Sequence, residues 1–216
     1  VSSEVNVIQR LLDIFLSGSA IAVLFPLFLA IILTLRLTGE GEIFFRQSRV
    51  GKNKVTFGLL KFTTMLKNSE NIGAGTVTLK DDFRVLPFGK FLRKTKLNEL
   101  PQLFNIFVGH MSIIGPRPLH EKQFSFYNEN DQKLISSVSP GLSGVGSIFF
   151  RDEEDILQNS SDPDKVYKNK ITPKKAILEK WYVRNKSLYL YFKLILLTLI
   201  IVIVPSINIS RFFKDI

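Results

Sequence analysis

Residues 94–103 read KTKLNELPQL, and residues 109–118 read GHMSIIGPRP. The first stretch places Glu99 near basic residues and in the predicted first turn of a helix, where the dipole and free amide groups hold an anion or order a carboxylate. The second stretch ends in a turn in which Pro116 and Pro118 fix the backbone on both sides of Arg117. Both stretches follow a membrane-length apolar segment, so the sequence favours chemistry on charged headgroups at a bilayer surface.

The apolar segment covers residues 14–35 and contains no charged residue. It reaches the roughly 20 residues that a membrane-spanning helix needs, and it is too long for a typical cleaved signal peptide. Pro26 lies at its midpoint, where a proline removes an amide donor and kinks or breaks a helix. We therefore predict a re-entrant membrane helix broken at Pro26, with a plain kinked span as the alternative. Arg10 and Arg36 flank the segment, which agrees with two cytoplasmic ends.

A second apolar stretch occupies residues 188–205 and is interrupted by Lys193. Its length allows a second membrane span. However, Lys193 and the aromatic residues Tyr189, Tyr191 and Phe192 also suit a helix that lies in the membrane interface. We favour the interfacial helix slightly and keep the span as the alternative.

The region between the apolar stretches predicts short strands and helices. Residues 41–65 predict a two-stranded hairpin, with Gly51 and Asn53 as turn formers. Asn98 is placed to cap a helix that ends before Gly109. The remaining predicted elements are an exposed loop at 67–80, helices at 88–94, 120–136 and 173–185, and an acidic helix start at 152–155.

These elements predict an α+β fold, with a mostly helical membrane-associated body, a small β-hairpin, a re-entrant N-terminal helix and interfacial amphipathic helices. With 216 residues, the chain is long enough for one packed domain and a membrane attachment. We place the re-entrant helix at residues 1–38, a cytosolic domain at 39–186, and a membrane-associated helix and tail at 187–216.

The composition limits the classes of function. The chain has 29 Lys and Arg residues against 19 Asp and Glu residues, and the resulting charge of +10 favours anionic partners such as phosphates, nucleotides or lipid headgroups. The absence of cysteine excludes disulfides and thiolate metal sites, and with two histidines a zinc site would depend mainly on carboxylates. No nucleic-acid-binding module is recognisable, so nucleic acid is not an expected partner.

Four basic residues are candidates for phosphate binding, because arginine presents a planar fork to phosphate and such sites gather cations from several elements. They are Lys61, Arg93, Arg117 and Arg151. For each cation alone, a solvated surface position is the more common role, and a glutamate such as Glu99 in a first turn is usually a helix-stabilising residue. The glycine-rich residues 141–146 lack the features of a nucleotide P-loop, but their amide groups can wrap a phosphate.

The order of motifs resembles that of the bacterial sugar transferases, which are monotopic phosphoglycosyl transferases. The similarity extends from about residue 10 to the C-terminal apolar helix. The motifs that carry it are Ile43–Gln47, Arg49–Gly51, Lys61–Phe62, Asp82–Arg84, Phe88–Lys90, Leu92–Thr95, Glu99–Leu103, Met111–Ser112, Gly115–Pro118 and Pro140–Gly144.

The resemblance implies a membrane enzyme of the bacterial inner membrane with its catalytic domain facing the cytoplasm. Such enzymes transfer a sugar 1-phosphate from a UDP-sugar to polyprenyl (undecaprenyl) phosphate and release UMP, as the first membrane step of polysaccharide or glycoconjugate assembly. The family also implies Mg²⁺, membrane lipid and downstream glycosyltransferases as partners, and it allows a homodimer.

The family uses an Asp-Glu pair, in which the Asp attacks phosphorus and the Glu helps to hold the metal. By position, Glu99 matches the metal-binding Glu, Asn98 occupies the place of the nucleophile, and Arg117 and Arg151 match phosphate-binding arginines. The re-entrant break matches Pro26.

Three positions depart from the family pattern. Asn98 replaces the Asp, and an uncharged amide is a far poorer nucleophile than a carboxylate. Thr63 stands where the family often has a basic residue, and His110 stands where it often has Asp. Four explanations are open for Asn98: a variant in which Glu99 or another group attacks, direct transfer without a covalent step, a mutation that arrests turnover, or an inactive membrane scaffold that retains nucleotide binding. We favour a variant that still performs the transfer and requires Glu99.

Overall fold

The computed structural model describes residues 3–71, 82–151, 153, 163–204, 207, 212 and 213. Among these residues the four strands are β1 (Phe44–Val50), β2 (Thr56–Phe62), β3 (Ser112–Ile114) and β4 (Gly141–Ser143). The α-helices of these residues are α1 (Ser3–Leu37), α2 (Pro87–Lys94), α3 (Gln102–Val108), α4 (Glu121–Phe124), α5 (Glu129–Ile135), α6 (Val145–Phe149), α7 (Pro163–Val166), α8 (Thr172–Arg184) and α9 (Leu188–Ile203). Single turns of 3₁₀-helix occupy Lys52–Lys54, Ser69–Asn71 and Leu97–Glu99, and a π-helical segment, Tyr167–Ile171, joins α7 to α8. The predicted α+β class is confirmed.

Helix α1 runs through Pro26 without ending. The predicted break at Pro26 is therefore wrong as a break in secondary structure. A proline costs one backbone hydrogen bond, but the apolar residues on both sides continue the helix because unpaired backbone groups are more costly still in an apolar environment. Within the described residues, α1 is the one helix that is long and apolar enough to cross a membrane, and it suggests membrane association.

Contacts on both sides of Pro26 bring α1 against α3. Arg10 donates hydrogen bonds to the carbonyl oxygens of Ile106 and Phe107, and the Phe28 ring lies 5.5 Å from the Phe104 ring. On a straight helix Arg10 and Phe28 would lie about 27 Å apart, whereas α3 is about 10 Å long. These contacts favour a bent α1 that wraps around α3. Re-entry into the membrane stays a prediction.

The side chain of Asp13 ties three elements together. It is 3% exposed, and its Oδ1 accepts hydrogen bonds from the Ile113 amide at 3.0 Å and from the Tyr191 hydroxyl at 2.8 Å. One turn earlier in α1, the side-chain amide of Gln9 donates a hydrogen bond to the Ser112 hydroxyl. A buried carboxylate requires such partners, so α1 is fixed to β3 and α9 by polar contacts as well as by apolar packing.

Strands β1 and β2 form the predicted antiparallel hairpin, which is confirmed, with Val50 paired to Thr56 next to the turn. Asn53 in this turn has a φ of 54°, a left-handed conformation that asparagine tolerates. The side chain of Asn105 on α3 pairs with the backbone of Gly58 and Leu60. The hairpin is thus fixed to the helix that follows Glu99.

Strands β3 and β4 form a short parallel pair at the centre of the body. Their backbones approach so closely that a Cβ added at Gly144 would overlap the carbonyl oxygen of Gly115, and one added at Gly115 would overlap that of Ser139. The glycines of the two motifs therefore bring the Pro-Arg-Pro turn against the glycine-rich segment.

Several other predictions have clear outcomes. The helices predicted at 88–94 and 173–185 are confirmed as α2 and α8. The helix predicted at 120–136 is wrong as one element, because Ser125 ends α4 and Asn128 caps α5. Asn98 does not cap α3, which begins at Gln102 after the 3₁₀ turn. Most of the predicted loop at 67–80 and of the acidic segment at 152–155 lies outside the described residues.

Helix α9 packs one face against the hydrophobic core and exposes an apolar face to the surface. Its 16 residues span about 24 Å, less than the roughly 30 Å of a hydrocarbon core. Leu190, Tyr191, Leu194 and Leu197 are buried against the core. The exposed apolar residues of this helix are Tyr189, Phe192, Leu196, Leu199, Val202 and Ile203. This division favours the predicted interfacial helix over a second span.

We expect Gly144→Ala to destabilise the protein strongly, because its Cβ would meet backbone rather than a movable side chain. Overpacking of this kind costs about 1–3 kcal/mol or more, which should lower the Tm in detergent by several degrees. Gly18→Ala is the control, because its Cβ would meet only the Phe107 ring at 3.2 Å. A wild-type Tm for Gly144→Ala would contradict the close approach of the two strands.

Candidate active site

Lys61 and Glu99 form the centre of the candidate site. The Lys61 Nζ lies 3.9 Å from Glu99 Oε1, and both side chains are partly buried. The pKa of Lys61 is lowered to about 8, mainly because the side chain is buried. The charge of Glu99 opposes this change, and the charges of Arg49, Arg117 and Arg93 contribute to it. Three arginines from distant parts of the sequence thus lie close enough to Lys61 to affect its pKa, and Glu99 is the carboxylate that pairs with this lysine.

The hairpin and the turn before α3 position these groups. Lys61 pairs with Phe45 and Phe57 pairs with Arg49 across the hairpin, so the lysine and the arginine lie on the same face of the sheet. The 3₁₀ turn Leu97–Glu99 follows α2 and lies against β2.

The Pro-Arg-Pro turn follows β3 and contacts α8. The backbone N–H of Arg117 donates to Oε1 of Glu179 at 3.3 Å. Glu179 is 2% exposed, and a Cβ on Gly146 would overlap this same oxygen. The buried carboxylate of Glu179 therefore holds the Pro-Arg-Pro turn in position, and it can do so because Gly146 has no side chain at this point.

Two cavities meet at Arg117. The hairpin cavity, of about 500 Å³, lies along β1 and β2, and the α9 cavity, of about 520 Å³, lies between the 3₁₀ turn, α6 and α9. The hairpin cavity is lined by Glu42, Phe44, Phe45, Gln47, Arg49, Lys61–Ser69, Asn71, Arg93, Asn98 and Arg117. The α9 cavity is lined by Lys96, Glu99, Leu100, Leu103, Ile113, Ile114, Arg117, Leu142, Ser143, Ser147, Phe150, Arg151, Glu153, Lys175, Ile195, Thr198, Leu199 and Val202.

The structure brings together the six polar residues that the sequence singled out. Lys61, Arg93 and Asn98 line the hairpin cavity, Glu99 and Arg151 line the α9 cavity, and Arg117 lines both. Pro26 lies apart from them in α1 and is not among the described residues that line either cavity. An arginine that lines both cavities can stabilise negative charge in either of them.

Buried polar atoms at both cavities lack a hydrogen-bond partner among the described residues. They are Oγ1 of Thr63 and Oδ1 of Asn98 at the hairpin cavity and Oγ of Ser147 at the α9 cavity. Buried polar atoms are normally paired, so such atoms in a cavity wall favour a polar ligand there.

Sequence reasoning missed the contribution of α8. Lys175 is 1% exposed, lines the α9 cavity and forms an ion pair with Glu153, while Glu179 one turn later holds the Arg117 backbone. The two residues are four apart, a spacing that usually indicates a solvated surface pair. Only the packing of α8 against α5 and α6 places them inside.

Burial raises the pKa of the Glu179 carboxyl to about 7, although the Arg117 amide and the charges of Lys175 and Arg117 lower it. The folded protein therefore binds this proton more tightly than the unfolded chain does. From the ordinary pKa near 4.5 up to about 7, the carboxyl reduces the free energy of unfolding as the pH rises.

We expect Glu179→Gln to remove this pH dependence. Relative to wild type, the Tm of the variant in detergent should rise by on the order of 5 °C between about pH 5 and pH 7.5, because the difference between the ordinary pKa near 4.5 and the raised pKa near 7 corresponds to about 3 kcal/mol. Glu129→Gln, at an exposed position, is the control, and its Tm should differ from that of wild type by the same amount at every pH in this range. The same constant difference for Glu179→Gln would contradict a raised pKa at this position.

Sequence comparison relates this protein to known proteins. The profile of the family described as "Bacterial sugar transferase" matches residues 4–205. A UDP-glucose:undecaprenyl-phosphate glucose-1-phosphate transferase of Klebsiella pneumoniae is 33% identical over 198 residues, which cover 89% of this chain and 39% of that protein. A UDP-N-acetylgalactosamine-undecaprenyl-phosphate N-acetylgalactosaminephosphotransferase of Aeromonas hydrophila is 35% identical over 85% of this chain and 40% of its own length.

A shorter relative is covered more fully. The exopolysaccharide production protein ExoY of Sinorhizobium fredii is 36% identical over 159 residues, which cover 67% of this chain and 70% of that protein. The chain thus spans less than half the length of the two longer relatives and most of the shorter one. With a family profile that matches nearly the whole chain, this protein belongs to the bacterial sugar transferase family.

Proposed function

We propose that this protein transfers a sugar 1-phosphate from a UDP-sugar to polyprenyl phosphate and releases UMP. The observation that carries the proposal is the position of Glu99, which lines the α9 cavity and pairs with Lys61 of the hairpin cavity, while Arg117 lines both. Two anionic substrates repel each other, and a surrounding set of cations offsets that repulsion. The names of the relatives, which specify undecaprenyl-phosphate acceptors, support the same reaction.

The proposed reaction moves one phosphoryl centre between two oxygen atoms. The bond between the β-phosphorus and the oxygen that bridges it to the α-phosphate breaks, and UMP leaves with that oxygen. An oxygen of the lipid phosphate forms the new bond to the β-phosphorus, directly or after a protein carboxylate has carried the phosphosugar. Arg117 and Lys61 are placed to neutralise charge on the diphosphate during this exchange.

Glu99 is the essential carboxylate in this proposal. Asn98 carries no negative charge, so it supplies a ligand or hydrogen-bonding oxygen rather than an anionic nucleophile. Its Oδ1 is buried and has no partner among the described residues, which leaves that oxygen available to a bound ligand.

The donor set fits Mg²⁺ that is held together with a substrate. Magnesium is usually bound through one or two carboxylates, substrate phosphates and water rather than by an all-protein cage. The described residues contain no group of three or more His, Cys, Asp or Glu side chains that could hold a metal. Glu99 would hold the ion together with Oδ1 of Asn98, the preceding residue, which has no hydrogen-bond partner among the described residues. The ion would neutralise negative charge on the diphosphate.

A non-catalytic membrane scaffold is the second candidate, and Asn98 at the position of the family nucleophile is the feature that favours it. Such a scaffold would still bind nucleotide. Thermal stabilisation by UDP with Mg²⁺, together with no UMP release from any of a panel of UDP-sugars, would favour the scaffold over the enzyme.

We expect Glu99→Gln to reduce UMP release by about 100-fold or more, because the change removes the charge and keeps the shape. The assay uses membranes with a UDP-sugar, polyprenyl phosphate and Mg²⁺, and a parallel reaction with EDTA tests the metal. Glu121→Gln, at an exposed position in α4, is the control and should behave as wild type. Unchanged activity of Glu99→Gln would remove Glu99 from the mechanism.

The lowered pKa of Lys61 predicts a pH-dependent affinity for UDP. We expect the affinity to fall several-fold as the pH rises from about 7 to 9, because the lysine loses its charge through a pKa of about 8. Lys61→Arg should bind UDP with little change over this range, since a guanidinium stays charged. Lys133→Arg, on the exposed side of α5, should follow wild type. If the affinity for UDP fell equally with pH in Lys61→Arg and Lys133→Arg, the pH dependence would belong to a group other than Lys61.

A further inference from the structure

The α9 cavity combines enclosed charge with an exposed apolar wall. Lys175 is 1% exposed, whereas Leu199 is 57% exposed and Val202 is 75% exposed. The described lining thus contains one buried cation, Lys175, and exposed apolar residues of α9, while the cations Lys96 and Arg117 are themselves exposed. Such a lining fits a ligand with a charged head and a long apolar tail.

The charged part contains groups suited to one phosphate. Arg117, Arg151 and Lys175 supply positive charge, and Ser147 supplies a buried hydroxyl that has no partner among the described residues. The aromatic rings of Phe150 and Tyr167 lie 5.6 and 5.2 Å from the Lys175 ammonium. In the described lining, the four cations outnumber the two carboxylates.

The apolar wall is continuous with the exposed face of α9. Ile195, Thr198, Leu199 and Val202 follow helical spacing and form one stripe along the cavity. A hydrogen bond of 2.8 Å between the hydroxyls of Thr198 and Ser143 fixes this stripe to β4. An isoprenoid tail that follows the stripe would reach the apolar surface of the protein and the lipid beyond it.

The hairpin cavity has a different lining. Gln47, Thr63, Thr64 and Asn68 provide hydrogen-bonding groups, and Arg93 provides charge. Polar groups at several positions suit a ligand with a base, a ribose and phosphates. Among the described residues, five apolar side chains also line the hairpin cavity, namely Phe44, Phe45, Phe62, Met65 and Leu66, against nine in the lining of the α9 cavity. A lipid tail would therefore find fewer apolar partners in the hairpin cavity.

We propose that the α9 cavity binds the prenyl phosphate acceptor and the hairpin cavity binds the nucleotide, so that their phosphates meet at Arg117 beside Glu99. This assignment rests on the proposed function. In it, Lys175 and Ser147 are lipid-phosphate ligands, and Leu199 and Val202 guide the tail.

Kinetics with paired variants test the assignment. Leu199→Trp narrows the α9 cavity and should raise the KM for a prenyl phosphate about tenfold, with the KM for the UDP-sugar changed less than about twofold. Leu196→Trp is the matched control, because Leu196 is 59% exposed on the same helix and does not line the cavity. Thr63→Val should do the reverse and raise only the KM for the UDP-sugar, by about two- to tenfold. Equal effects of the two tryptophan variants, or an unchanged lipid KM for Leu199→Trp, would overturn the assignment.

Photo-crosslinking gives an independent readout that does not require turnover. A prenyl phosphate with a diazirine in its tail should label peptides from α9 in the full chain in detergent, and the matching prenol should label them much less. Labelling of the β1–β2 hairpin, or equal labelling by the prenol, would overturn the assignment. Head-dependent labelling of α9 without UMP release from any UDP-sugar would instead reject the proposed function and retain the lipid site.

Discussion

Mutual repulsion among cations is the constraint on which the candidate site depends. Lys61 lies near Arg49, Arg93 and Arg117, and Glu99 is the carboxylate that pairs with it. Burial and like charges reduce the tendency of Lys61 to hold its proton, so the arrangement costs stability when no anion is bound. An anionic ligand reverses this cost, because its phosphates pair with the same cations. The protein therefore places unfavourable charge where diphosphate chemistry would use it.

The fold holds these charges through a few buried contacts that are remote in sequence. Asp13 fixes α1 to β3 and α9, and Glu179 holds the backbone of Arg117. Close approach of Gly115 and Gly144 brings the Pro-Arg-Pro turn to the glycine-rich segment. Helices α1 and α9 both expose apolar residues and both contact β3, and α9 lines the cavity that contains Glu99 and Arg117. A site attached in this way is suited to a substrate whose tail stays in lipid.

Local patterns were enough to predict the hairpin, α2 and α8, because their signals are periodicity and turn formers. Motif order singled out six of the residues that line the two cavities, but not Lys175. The failures involve competition between local signals. Pro26 predicted a break, yet the surrounding apolar residues keep α1 helical. Asn98 has the chemistry of a cap, but it lies inside the 3₁₀ turn Leu97–Glu99, and its Oδ1 has no hydrogen-bond partner among the described residues. Lys175 and Glu179 looked like a surface pair, and their burial depends on tertiary packing that spacing does not encode.

The central claim is that a phosphosugar, and not a sugar alone, moves from nucleotide to lipid at the cation cluster around Glu99. The most direct test uses a UDP-sugar labelled in its β-phosphate, incubated with the protein, Mg²⁺ and polyprenyl phosphate. The account predicts that the label enters the lipid fraction together with the sugar and that unlabelled UMP is released. Release of labelled UDP, with sugar but no label in the lipid, would contradict it.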